Sequence, residues 1–242
     1  MNIIPVKAGE EIELKQSKIR NGVRFYLRPF HVSHGGHPTL GYTVISKTTT
    51  NVIKEEYSTM EGKKLGELAR SGVAIKDMKT IEKVEIMYSG DTSVDGLMYR
   101  TDREHDTERN DLDLTSMEYL RQGFHAPLFL CEMTFLDPKD ADLAKARGHL
   151  NVANFEPILS SHGWTAPENC SDERQILLYH VSAKHGPAEH ILDKLCKHLP
   201  PQVLSVTEVA LASFISKDSK TFPLLKTNGC VSMKEYKKSN TK

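Results

Sequence analysis

The stretch that most narrows what this chain can become is residues 175–214, QILLYHVSAKHGPAEHILDKLCKHLPPQVLSVTEVALASF. Ile176, Leu177, Leu178, Tyr179 and Val181 form an apolar run too short for a helix, closed by the Gly186-Pro187 breaker. Pro187 suits a helix start, and Ile191, Leu192, Leu195 and Leu199 then fall on one helical stripe. Glu189, Asp193, Lys194 and Lys197 face away from that stripe. Pro200-Pro201 stops the helix, and Val203 to Phe214, rich in β-branched and apolar residues, reads as a returning strand. Strand, helix and strand make this the core unit. On its first strand His180 and Ser182, two residues apart, are expected to share a face.

Upstream, residues 12–14 and 23–27 read as short strands, followed by a glycine-rich turn holding His31, His34 and His37. Residues 40–45 (LGYTVI), 81–88 (IEKVEIMY) and 128–136 (LFLCEMTFL) read as strands. Leu97 to Tyr99 is expected to pair with 81–88 across the SGDTSVDG turn. Helices are expected around Leu65–Ala69, at 114–122, and from Asp137-Pro138 through Leu143 to Leu150. Asn228-Gly229 signals a hairpin. The charged run at 101–113 reads as an exposed loop, and 233–242 as a flexible basic tail. Together these predict residues 1–242 as a single α+β domain. It has a mixed or antiparallel sheet with flanking helices, room for two pseudo-symmetric lobes, and an insertion around 101–172.

Charge excludes little. With 32 basic and 32 acidic residues there is no whole-molecule pull toward nucleic acid or membrane. Four scattered cysteines, none in a C-x-x-C pair, suit a reducing compartment. The start, MNIIPVKAGEEIELK, lacks the apolar core of a signal peptide, and no run reaches the ~20 apolar residues of a membrane span. The expectation is a cytoplasmic protein with no integral membrane segment.

The chemistry-bearing pattern is a set of His-x-Ser/Thr frames. Two adjoin strand-like segments: His37-Pro38-Thr39 and His180-Val181-Ser182. Others stand at His31 and, in the charged loop, at His105. Two histidines meeting across a cleft can act as general base and general acid on a phosphodiester, with the hydroxyls holding a phosphate oxygen. No metal or cofactor is required. His31, His34 and His37 alone do not suggest a zinc site, because Gly35, Gly36 and Pro38 oppose a helix and no cysteine adjoins them. Cys131 and Cys196 lie on apolar stretches, as core residues do. A P-loop and a GxGxxG motif are both absent from the sequence.

With two such frames beside strands, the chain resembles the 2H phosphoesterase superfamily, its second half more closely than its first. The resemblance implies a two-lobed α+β fold and a metal-independent phosphodiesterase. Its substrates would be RNA ends, 2′,3′-cyclic phosphates or 2′–5′ linkages. His37 and His180 would be the catalytic pair with Thr39 and Ser182 beside them, and His31-Val32-Ser33 would be the other candidate for the first motif. Partners would be RNA or a cyclic or oligonucleotide. The contrasting expectation is a non-enzymatic assembly protein, such as a viral matrix, movement or coat-like subunit. It would form homo-oligomers through strand edges and touch nucleic acid or membrane through the basic tail.

Overall fold

The computed structural model describes residues 5–15, 22–98, 111–164, 173–215 and 221–240. Most of the charged loop at 101–113, His105 included, and the segment TAPENCSD with Cys170 lie outside them, as does Tyr99. The strands are β1 (Ile12–Leu14), β2 (Val23–His34), β3 (His37–Ile53), β4 (Lys76–Tyr88), β5 (Leu128–Glu132), β6 (Gln175–Tyr179), β7 (Thr207–Ala210) and β8 (Cys230–Ser232). The helices are α1 (Gly62–Arg70), α2 (Val94–Leu97), α3 (Asp111–Gly123), α4 (Ala141–Ala146), α5 (Val152–Ser161), α6 (Ala188–His198), α7 (Pro201–Ser205) and α8 (Met233–Asn240). The fold is α+β. All eight strands form one continuous mixed sheet in sequence order.

The two parts of the sheet are built differently. From β1 to β4 neighbours are antiparallel, β2 and β3 being joined by a tight hairpin. The β2–β3 turn uses Gly35 and Gly36 at φ 57° and 81°, the left-handed conformations a tight two-residue hairpin requires. From β4 to β7 neighbours are parallel, and β8 returns antiparallel. Parallel pairing needs long crossovers, and helices α2 to α7 supply them. Alternate residues Met87, Phe129, Cys131, Ile176, Leu178 and Val209 are fully buried, and they join one core with Phe155, Ile191, Leu192 and Leu195 from α5 and α6. Their neighbours Leu128, Leu130, Leu177 and Tyr179 are only half-buried.

Beyond the start of β2, β3 and β4 continue as a two-stranded arm tipped by α1. Ile53, Met78 and Ile81 are exposed on it, and Lys76, Lys79 and Lys83 line β4. Charged residues along an open strand guard it against pairing with another chain.

Several expectations need correcting. The return after α6 is not one strand from Val203: Pro201, at the first helical position, nucleates α7, and only Thr207–Ala210 is extended. Val203 and Leu204 are buried, so packing overrides their β propensity. The strand from Leu128 stops at Glu132. SGDTSVDG leads into α2, so Leu97 is helical and does not pair with β4. The segment taken as an insertion carries β5, which sits between β4 and β6 inside the sheet. The tail is no loose end: α8 buries Met233 and Tyr236, whose hydroxyl donates to Asp193 Oδ1 at 2.7 Å. The Asn228-Gly229 turn does form, with Gly229 at φ 80° and Leu225 bridged to Val231. Among the described residues no helix is long and apolar enough to cross a membrane.

Candidate functional site

Parallel strands present their carboxyl ends together, and in open α/β sheets ligands collect there. Three ends do so here. Asp91 stands three residues past Tyr88 of β4, Glu132 is the last residue of β5, and His180 immediately follows β6. His149 comes from the connection after α4. Glycines allow these approaches. A Cβ on Gly90 would come within 2.8 Å of the Leu40 carbonyl oxygen. On Gly148 it would stand 1.9 Å from the Gly35 amide nitrogen, so only glycine lets the residue before His149 press against the β2–β3 hairpin. His180, at φ 58°, is the only non-glycine residue at positive φ among the described residues. Such a conformation is uncommon and costs roughly 1–3 kcal/mol, and it collects at functional sites.

Asp91, His149 and His180 each bring one metal-capable atom into a group spanning no more than 4.8 Å. His180 Nδ1 lies 3.6 Å from Asp91 Oδ1, and the His149 and His180 ring centroids are 5.3 Å apart. Exposure grades across the group: the side chain of Glu132 is 0% exposed, His149 15%, Asp91 37% and His180 47%.

The buried end is the anchor. Glu132 Oε1 accepts from the Leu150 and Thr92 backbone N–H groups at 2.9 and 3.2 Å, and Oε2 accepts from the Thr134 N–H at 3.0 Å. These bonds hold a carboxylate where burial alone would be costly. His149 Nδ1 lies 3.1 Å from Glu132 Oε1. With Nδ1–H donated to the carboxylate, Nε2 is left as a bare lone pair, the arrangement by which carboxylates orient metal-binding histidines. That hydrogen bond raises the His149 pKa above its ordinary value, against burial, which lowers it.

Of the residues expected from sequence, His180 alone enters the cluster. It does not share a strand face with Ser182, because β6 has ended and Ser182 begins a short 3₁₀ turn over Ala183–His185. His37 is exposed at the β2–β3 hairpin opposite His34, and the Thr39 hydroxyl donates to the His37 carbonyl at 3.3 Å. No hydrogen bond, ion pair or ring contact joins His37 or Thr39 to His180 or Ser182. From the histidine-rich turn it is His34 that reaches the site. Its Nδ1 lies 3.0 Å from the Gly148 carbonyl oxygen and its ring stands edge-on to His149 at 4.7 Å. His31 is exposed, its backbone N–H donating to Ser116 Oγ. Cys131 is a core residue whose thiol burial pushes well up.

Sequence reasoning missed Asp91, Glu132 and His149. Asp91 was read as part of a turn, and His149 as part of a helix that stops three residues earlier. The usable signal was a polar residue closing each apolar run: Glu132 after LFLC, and Gly148-His149 ahead of Asn151, whose side chain caps α5. Comparison with family models and with curated proteins finds no match for this chain.

Two imidazoles and a carboxylate suit zinc or another first-row divalent ion, and three protein ligands leave positions open for water and substrate. Asp91, His149 and His180 would hold the ion, with Glu132 behind His149.

Proposed function

We propose that the chain is a metal-assisted hydrolase whose ion is held by Asp91, His149 and His180 and whose substrate is a phosphodiester. The observation that carries this reading is the convergence of those three ligand atoms within 4.8 Å, two of them following the ends of the parallel strands β4 and β6. Held by Asp91, His149 and His180, a divalent ion would supply Lewis-acid polarisation of a phosphoryl oxygen and a water made nucleophilic near neutral pH. Water oxygen bonds to phosphorus, the P–O ester bond breaks, and the departing oxygen takes the proton. The exposed His180 and Asp91 face the substrate side, while Glu132 keeps His149 oriented from below. The phosphodiester class is carried over from the family resemblance drawn from sequence, with RNA ends, 2′,3′-cyclic phosphates and 2′–5′ linkages as the forms to try.

The test pairs ion binding with turnover. Zinc and manganese binding to the full chain is measured by calorimetry and elemental analysis. Hydrolysis of bis(p-nitrophenyl) phosphate, 2′,3′-cyclic mononucleotides and 2′–5′ oligoadenylate is followed with added ion or EDTA. The expected result is one ion per chain and turnover that stops in EDTA, with both lost in Asp91→Asn and His180→Ala. Turnover that persists in EDTA would instead support a metal-free mechanism with His180 as one of two catalytic histidines. A chain that neither binds ions nor turns over leaves the assembly reading.

A further inference from the structure

We propose that Thr134 is the positioning residue of this site, its hydroxyl fixing His180 with Nδ1 protonated, so that Nε2 is the nitrogen left for the ion. The inference rests on the metal-site reading above and goes one layer beneath it.

Thr134 lies in the loop after β5 and is buried. Its hydroxyl has one hydrogen to donate and two lone pairs to accept with. Four groups surround Oγ1: Glu132 Oε2 at 2.7 Å, His180 Nδ1 at 3.0 Å, the His180 carbonyl oxygen at 3.1 Å and His149 Nδ1 at 3.3 Å. A carboxylate can only accept, and the shortest contact is the one to Glu132, so the single hydrogen goes there. The His180 carbonyl can only accept and lies farther off than Glu132 Oε2, so toward the two imidazole nitrogens the hydroxyl oxygen is left as an acceptor. His180 Nδ1 satisfies it as an N–H donor, which leaves His180 Nε2 without a proton. His149 Nδ1 reaches the same conclusion through Glu132 Oε1. One buried carboxylate thus sets both rings, one directly and one through Thr134.

The backbone shows why His180 needs this tether. It sits at φ 58° just beyond the sheet, and its side chain is about half exposed. The Thr134 loop is itself fixed from both sides. Its N–H donates to Glu132, and its carbonyl accepts from the Ser182 N–H at 3.3 Å and lies 3.1 Å from His185 Nε2. The bland alternative is that Thr134 merely fills space, as any β-branched residue of its size would.

Thr134→Val keeps that shape and removes the hydroxyl, whereas Thr134→Ser keeps the hydroxyl. The first readout is the histidine tautomer in the metal-free chain, by long-range ¹H–¹⁵N correlation of the imidazole rings. The second is zinc affinity by calorimetry. Wild type and Thr134→Ser are expected to show Nδ1–H at both His149 and His180. In Thr134→Val, His180 alone is expected to lose that form, and zinc to bind about 10- to 100-fold more weakly, the usual cost of a missing supporting hydrogen bond. Nε2–H at His180 in the wild type overturns the proposal, and so does Thr134→Val that keeps both tautomer and affinity. If the tautomers behave as expected but no variant binds zinc, the metal reading falls and the role of Thr134 stands. Should Thr134→Val not fold, the wild-type tautomer decides alone.

Discussion

Two polar clusters sit in different parts of the same sheet, one among the antiparallel strands and one at the ends of the parallel strands. In the first, Arg28 on β2 is nearly buried and donates to Glu11, Glu82 and Gln122, while Lys47 reaches Glu11 at 2.6 Å and Glu82 at 2.9 Å. Both oxygens of Glu11 and both of Glu82 face a cation, and two positive charges meet two negative ones. That network is closed. In the second, both oxygens of Glu132 are filled, but Asp91 and His180 stand partly in solvent. That cluster brings two acidic side chains and two imidazoles together and keeps a solvent-facing side. A closed network holds strands together; an open one has room for a ligand.

The largest effect expected from this contrast is on stability. Arg28→Ala removes a nearly buried guanidinium with its three hydrogen-bonded partners and leaves Glu11 and Glu82 to Lys47 alone, which should cost about 1.5–3 kcal/mol. Asp91→Asn removes a group with much of its surface in water and should cost under about 1 kcal/mol. Guanidinium unfolding of both variants measures the difference. Equal losses would erase the distinction between a structural and a ligand-binding cluster.

Next comes stabilisation by the ion. A ligand that binds only the folded state adds about 2.7 kcal/mol at 100 times its Kd. Zinc should therefore raise the Tm of the wild type and of Arg28→Ala alike, and leave His180→Ala unmoved. A shift of similar size in His180→Ala would place the ion elsewhere on the chain.

The two clusters also show what a sequence reveals. The stripe of Ile191, Leu192 and Leu195 was legible because helical period is local, and all three are buried as expected. Val203 and Leu204 misled because two prolines and a tertiary contact outweighed their propensity. His180 could be singled out from its local frame, but the residues it meets come from other parts of the chain. Asp91, Glu132 and His180 are far apart in the chain and meet because β4, β5 and β6 run parallel, while His149 is brought in by the connection between β5 and β6. Nothing in an H-x-S frame specifies that pairing. The same holds for Arg28 and Glu82, whose meeting depends on the β2–β3–β4 register.

The smallest expected effect sharpens the comparison through pH. Burial pushes the Glu82 carboxyl up, but hydrogen bonds from Lys47 and Arg28, with their charges, outweigh it and hold the group below its ordinary value. A carboxyl whose folded pKa is depressed binds fewer protons in the folded chain than in the unfolded one as acid is added. Its contribution is complete above the ordinary carboxylate value and fades as pH falls through the lower, folded one. Glu82 is 44% exposed, so solvent screening keeps this contribution small. Between pH 6 and pH 3, Glu82→Gln should start with a slightly lower Tm than the wild type and fall less steeply, the two curves converging in acid. Parallel curves across that range would mean that Glu82 is not held charged by Arg28 and Lys47. The closed cluster would then have to be assigned to the buried Arg28–Glu11–Gln122 contacts alone.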